Sequence, residues 1–429
     1  MYNPNKSYQE KYLKYKTKYL KLKKLVGGGD FPIKILVITF NQGHENYINV
    51  EYIKSLITQY EPEIVAIALQ ESMLNTPIFV RHAIDSITEF AYEPIDTKSM
   101  FQGILGYMHL SIYKKIPAGN DTVDDTKDKI VIKLDKITTS RCKYVDPGGL
   151  FKGGIIAYLN IKYNSNSIYL AIVCSHLPSN PAKPDKRNDC LKKLIKEIQS
   201  HKPQYDNIIF TGDLNYRTSN KNEPSLEEKN TMVNTCVRDT DSDGKPTVTL
   251  SNTPLANSDS TEENQSREKK SLSHTLVSSL VSLGKTVKKK FKRPNSSTKN
   301  GAEYDNALKN FNEYTRADQL TTSLSNNLSN LGLKESQKNF CPTCKLNLQT
   351  KGERNRNQPD YDDKRFPSWC DRVLYKGENL QPLTKNPHDS ISPHIPHDSI
   401  SPHIYDSINL SNKSDHLAVY QLFTLTIPT

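Results

Sequence analysis

The chain has 429 residues, 58 Lys and Arg against 47 Asp and Glu for a formal net charge of +11, and 35% hydrophobic residues, enough apolar material for a real core in one large domain or two ordinary ones. No stretch approaches the roughly 20 apolar residues of a spanning helix, and the start lacks the short apolar run and small-residue cleavage site of a signal peptide, so a location inside a cell is expected. The basic balance suits an anionic partner: nucleic acid, a membrane surface or a phosphorylated small molecule.

Residues 1–30 form the first unit. Tyr8, Tyr12, Tyr15, Tyr19 and Leu22 recur at alternating spacings of four and three with lysines between them, which predicts a basic amphipathic helix, and Gly27, Gly28 and Gly29 end it in a flexible hinge. This arm reads equally as a solvated or coiled-coil tail and as a membrane or virion-type anchor; its lysine- and tyrosine-rich pattern resembles N-terminal segments of large DNA viruses.

A globular domain is expected over 31–429. From Ile33 onward short β-rich runs alternate with polar helical stretches: IKILVITF, IVAIALQ, ILGYMHLSIY, KIVIKL, GIIAYLNIKY, SIYLAIVCSH, NIIFTG, RVLYK and LAVYQLFTLTI, with helices over 46–60, 186–200 and 303–324. The strands 153–162 and 166–174 are joined too tightly for a crossover helix, so two sheets covered by helices, an α/β sandwich, account for the rhythm. Residues 237–302 read as a low-complexity surface insertion. Within it, Leu276, Leu280, Leu283, Val287 and Phe291 fall at helical spacing beside six basic residues between Lys285 and Arg293. Segment 270–294 is thus either a linker or a helix lying on an anionic membrane. The nonapeptide PHDSISPHI stands twice in tandem over 387–404 and is a duplicated loop rather than a metal site.

The seven cysteines are odd in number and lie mostly in strand-like or motif segments, so reduced thiols are expected. Cys341 and Cys344 form a lone CxxC without the partner pair a zinc site needs.

Chemistry-bearing residues stand at the strand ends. Asn41 follows IKILVITF, Gln70 and Glu71 follow IVAIAL, His176 follows SIYLAIVCS, and Asp213 and Asn215 follow NIIFTG, while Asp371 precedes RVLYK and Asp415 and His416 precede LAVYQLF. Such groups converge on one edge of a sheet. They are the types that metal-assisted phosphate ester cleavage requires: oxygen ligands for a hard cation, a carboxylate to activate water, and donors for charge developing on the phosphoryl group.

GDLNYR at 212–217 and PSWCDRVLYK at 367–376 resemble the two signature motifs of the inositol polyphosphate 5-phosphatases, within the exonuclease, endonuclease and phosphatase superfamily. TFN at 39–41, LQES at 69–72, KGG at 152–154, SHL at 175–177 followed by Arg187 and Asn188, ADQL at 317–320, CPTCK at 341–345 and SDH at 414–416 follow in the family's order. The resemblance implies a deoxyribonuclease-I-like four-layer sandwich, two mainly antiparallel sheets flanked by helices, and Mg²⁺-dependent removal of a phosphate from a phosphoinositide or soluble inositol polyphosphate. It implies that Glu71, helped by Asn41, holds Mg²⁺, with Asp415 near the metal's water. Asp213 would be the base, Asn215 and His176 phosphate donors, and Asp371 the partner that orients His416. Lys152 and Lys345 would grip the neighbouring ring phosphate, with Arg187 and Arg217 counted among the substrate-binding residues. Phe151, Cys344 and Phe40 depart from the family's asparagine, tyrosine and tryptophan. A nuclease of the same superfamily shares the strand-end set but not PSWCDR or the Lys345 region, so nucleic acid is not the expected partner. A catalytically dead headgroup-binding module has no energetic reason to keep acid, base and metal ligands together.

Overall fold

The computed structural model describes residues 31–45, 47–116, 130–146, 150–218, 315, 317–338, 340–348, 361–362, 367–384 and 403–428. The basic arm, the insertion with segment 270–294 and the tandem repeat up to residue 402 lie outside the described residues. So does the stretch of the 303–324 helix before Thr315.

In chain order the strands are β1 (Phe31–Asn41), β2 (Ile64–Ser72), β3 (Tyr92–Phe101), β4 (Tyr107–Lys115), β5 (Ile130–Asp146), β6 (Leu150–Tyr163) and β7 (Asn166–His176). They continue with β8 (Asn207–Asp213), β9 (Lys334–Glu335), β10 (Asp371–Lys376), β11 (Leu380–Pro382), β12 (Tyr405–Ile408) and β13 (Ala418–Ile427). The α-helices are α1 (Val50–Tyr60), α2 (Thr76–Asp85), α3 (Pro184–Ser200) and α4 (Gln319–Ser325).

One sheet runs β11-β13-β1-β2-β4-β3 with β12 on β13, and the other runs β5-β6-β7-β8-β10-β9. Each sheet contains one parallel pair, β1 with β2 and β7 with β8, and is otherwise antiparallel. The pleat explains why strands such as β1 are apolar almost throughout. Ile33, Ile35 and Val37 enter the core shared with Ile155, Ala157 and Ile172 of the other sheet, while Leu36 and Ile38 point outward onto Ile53, Ile57, Val80 and Ile84 of α1 and α2. On the far side, Tyr158, Val173 and Phe210 pack against Leu191, Leu194, Ile195 and Ile198 of α3 and Leu320 of α4. Helix, sheet, sheet and helix are the four layers that the resemblance implied.

The local signals for these elements are plain. Asn49 caps α1 by accepting from the Glu51 amide, and Pro184 opens α3 where its missing N–H costs nothing. The β6–β7 hairpin turns so tightly that Tyr163 faces Asn166, with Asn164 in the left-handed region. One expectation needs correction. Cys142 on β5 and Cys190 on α3 form a disulfide, while Cys174, Cys341, Cys344 and Cys370 are free and buried. The packing of α3 against the sheet brings two Cα atoms 48 positions apart in sequence to 5.3 Å, a proximity that sequence spacing cannot show.

Candidate active site

Strand register assembles the site. Gly153 of β6 faces His176 of β7, His176 faces Asp213 of β8, and Asp213 faces Asp371 of β10. Residues in register on neighbouring strands project from the same face of a sheet, so the row delivers His176, Asp213 and Asp371 together. The other sheet contributes Asn41 and Glu71 from the ends of its parallel pair, and His416 from the turn before β13. Asn41 joins the two sheets by donating its amide Nδ2 to Asp213 Oδ2 at 2.9 Å, while its own Oδ1 accepts from the Gly43 amide.

Two residues reach the cleft through unusual backbone. Glu71 (φ 49°) follows a register shift in β2, and Asn215 has φ 55°. A left-handed conformation costs a non-glycine residue about 1–3 kcal/mol, and such strain concentrates at functional sites. Here it turns Glu71 toward His176, with Oε1 3.6 Å from Nε2. It also lets the Asn215 amide donate to Asp213 Oδ1 while Nδ2 donates to the Leu177 carbonyl.

Around Asp213 the field is positive. His176 Nε2 lies 3.4 Å from its Oδ2, and Lys152 Nζ is 2.6 Å from that same imidazole nitrogen. Burial opposes the charge on Asp213, but His176, His416 and Lys152 outweigh it and hold the carboxyl far below the usual range. His416 Nδ1 meets Asp371 Oδ2 at 2.7 Å, and Thr343 Oγ1 donates to that oxygen at 2.7 Å. Burial works against an imidazolium, yet Asp371 and Cys344 raise His416 well above an ordinary histidine. Burial lifts Asp371 to about 6 against the pull of His416, which still leaves an anion beside a cation at neutral pH. The geometry directs His416 Nε2 away from Asp371, with Asp415 Oδ1 3.7 Å from it.

Asp213, Asp371 and His416 place ligand atoms within 4.8 Å of one another, a spacing that can hold a metal ion. This trio differs from the sequence-derived ligands Asn41, Glu71 and Asp415. Asp415 forms an ion pair with Lys345, and the Asp371 oxygen that meets His416 is already engaged. Asp371 Oδ1 by contrast is buried with no hydrogen-bond partner, and the surrounding oxygen donors are of the kind a hard divalent cation takes. A protonated His416 offers no lone pair to a metal, so the oxygen donors of Asp213, Asp371 and the neighbouring Glu71 are the groups that fit such an ion.

Of the remaining predicted residues, Lys152 is buried and Lys345 is 34% exposed at the cleft. The two arginines do other jobs. Arg187 is wholly buried, donating to the carbonyls of Pro178, Asn180 and Pro181 and to Gln319 Oε1, so it braces the loop after β7 rather than reaching the cluster. Arg217 donates Nη2 to Asn215 Oδ1 at 2.6 Å and so orients that amide. Phe151 lies under the Arg141 guanidinium, 4.2 Å from its ring centroid. One residue the sequence reading passed over is Gln102, after β3. It is buried, and its Nε2 lies 3.1 Å from His176 Nδ1 and 3.4 Å from the Phe151 carbonyl. No local signal marks it, because its partner His176 lies 74 positions away.

A second cluster lies directly behind the site. Arg372, next to Asp371, is fully buried between Glu335, which it grips through both Nε and Nη2, and Asp318, 2.7 Å from Nη2. Lys338 adds a 3.2 Å contact to Asp318, and Tyr405 donates to Glu335 at 2.9 Å. This network locks β10, and with it Asp371, against α4 and β9.

The sequence model of endonuclease/exonuclease/phosphatase family 2 matches residues 38–238 and 290–422. Among solved structures, the chain is similar to the inositol polyphosphate 5-phosphatase domain of SpSynaptojanin in complex with inositol (1,4)-bisphosphate and calcium ion. The identity is 16%, the TM-score 0.51, and the match covers 96% of this chain and 90% of that one. Cimex nitrophorin, as its ferrous NO complex, matches at 16% identity and a TM-score of 0.49 over 92% of this chain and 99% of its own. At these identities the likeness to SpSynaptojanin is one of fold, the deoxyribonuclease-I-like sandwich already described. The family match spans most of the chain and carries the site with it: the chain belongs to the endonuclease/exonuclease/phosphatase family.

Proposed function

We propose that the chain is a Mg²⁺-dependent phosphomonoesterase that hydrolyses the 5-phosphate of phosphoinositides or soluble inositol polyphosphates. The observation that carries this reading is the meeting of an ionised Asp213 and an Asp371–His416 pair in one cleft flanked by Lys152 and Lys345. Asp213 is ionised at neutral pH and so able to accept a proton from the attacking water, although the cations that hold it anionic also weaken it as a base. His416, held by Asp371 with its proton on Nδ1, offers Nε2–H to the oxygens that gain charge. His176 and the Asn215 amide add donors to the same phosphoryl group. Glu71 and Asn41 would hold the Mg²⁺, whose charge offsets that of the phosphate.

The lysines supply the preference for a polyphosphorylated ring, because compact cations on flexible stems suit a second dianionic phosphate. The PSWCDR segment and the Lys345 region support an inositol phosphate over a nucleic acid backbone. The inositol bisphosphate held by the SpSynaptojanin domain is the ligand class this reading brings to the present chain. Phosphate release across soluble inositol phosphates, short-chain phosphoinositides and single-stranded DNA, with and without Mg²⁺, tests it. Turnover confined to ring substrates that carry the 5-phosphate, and lost with EDTA, is expected; cleavage of DNA alone rejects the reading.

A further inference from the structure

Two buried thiols meet beside the site, and the proposed reaction uses neither. Cys344 precedes Lys345 in the chain and Cys370 precedes Asp371; both are free and buried. One guanidinium nitrogen, Arg217 Nη1, lies 3.0 Å from each Sγ, so the sulfurs stand no further apart than twice that distance. Backbone bonds fix both positions: the Cys344 amide donates to the Ser368 carbonyl at 3.1 Å, and the Cys370 carbonyl accepts from Leu214 at 2.7 Å. Cys174, by contrast, sits against Gln70 and the Leu69 carbonyl.

We infer that Cys344 and Cys370 form an oxidation site at which a peroxide closes a disulfide that lowers turnover. One sulfur attacks a peroxide oxygen; the O–O bond breaks, giving a sulfenic acid and water. The second sulfur then attacks the sulfenic sulfur, the S–O bond breaks, and the oxygen leaves as a second water. Two thiols have lost two electrons and two protons, and the peroxide has been reduced to two waters. The neighbouring Lys345 side chain is 34% exposed, so solvent lies within one residue of Cys344.

The consequence follows from what the thiols touch. A disulfide needs its sulfurs at about 2.05 Å, so closure draws the Cys344–Lys345 segment toward Cys370 and Asp371. It also changes the partners of Arg217, whose other nitrogen holds Asn215 Oδ1. Displacing catalytic groups by as little as 1 Å can cost about a hundredfold in rate.

The full chain is titrated with hydrogen peroxide, then alkylated and mapped by mass spectrometry while turnover is followed in parallel; the map is independent of which substrate the enzyme takes. A Cys344–Cys370 linked peptide, a fall in turnover of roughly tenfold to a hundredfold, and recovery of both with dithiothreitol are expected. Cys344→Ser and Cys370→Ser, each compared with its own untreated activity, should resist peroxide, whereas Cys174→Ser should respond like the parent. No linked peptide, a linked peptide with unchanged turnover, or equal peroxide loss in either single variant overturns the inference.

Discussion

Gln102 reaches the cleft from outside its sequence motifs and Thr343 from the middle of CPTCK, and each fixes a histidine. Gln102 holds His176 through Nδ1, and Thr343 donates to the same Asp371 oxygen that orients His416. Gln102→Leu is expected to lower kcat by about tenfold to a hundredfold with KM within about twofold, because it loosens a donor that acts in the transition state. A raised KM with kcat intact would instead place Gln102 in substrate binding. Asp371→Asn keeps the shape but favours the wrong tautomer of His416, and a loss of about three to four orders of magnitude in kcat is expected by analogy with other aspartate–histidine pairs. If steady-state kinetics show less than a tenfold loss, Asp371 does not orient the imidazole. The strand-end residues Asn41, Glu71, His176, Asp213, Asp371 and His416 were legible because polar groups that end apolar runs converge on one edge. Gln102 was not, since its partner lies 74 positions away, and neither was the Cys142–Cys190 pairing.

Among the elements, the parallel pair β7–β8 and the short strand β10 carry the site. Gly212 (φ 141°) lets β8 approach β7 where His176 and Asp213 face each other; a Cβ there would lie 1.9 Å from the Ser175 carbonyl oxygen. Gly212→Ala should therefore destabilise the protein by about 1–3 kcal/mol in urea unfolding and reduce turnover further than that loss explains. Unchanged stability would mean that the strands separate freely. Behind β10, Glu335→Gln leaves Arg372 buried with a weaker partner, and a loss of up to about 3–5 kcal/mol is expected.

Burial alone would raise Asp318 and Glu335, but Arg372 and Lys338 hold both below the ordinary carboxylate range. Their contribution is complete above the unfolded values of about 4 and is lost as pH falls through the lower folded ones. Urea midpoints should thus be level near neutral pH and drop below about pH 4, less steeply in Glu335→Gln than in the parent. The long apolar strands and α3 could be read from their periodicity. The edge strand β3 could not, because most of its residues are exposed and carry no alternation; nor could α2, a ten-residue helix whose TPIFV start reads as readily as a strand.

At the scale of the whole molecule, two sheets each end one parallel pair at the same cleft, where Lys152 and Lys345 stand beside an acidic centre. The paired carboxylates, histidines and flanking lysines support phosphate ester hydrolysis on a multiply charged small molecule, while the basic segment 270–294 is a proposed contact with anionic membrane. Its deletion is expected to reduce sedimentation with anionic liposomes at low salt and leave turnover of a soluble inositol phosphate unchanged. Equal sedimentation would assign the attraction to the arm or the domain face. The central claim concerns which ester bond breaks. Phosphorus NMR of inositol (1,4,5)-trisphosphate incubated with the full chain and Mg²⁺ should show the 5-phosphate resonance give way to inorganic phosphate while the 1- and 4-phosphates persist, with no change in the Asp213→Asn protein. Release of the 1- or 4-phosphate, or equal release by Asp213→Asn, would contradict the account.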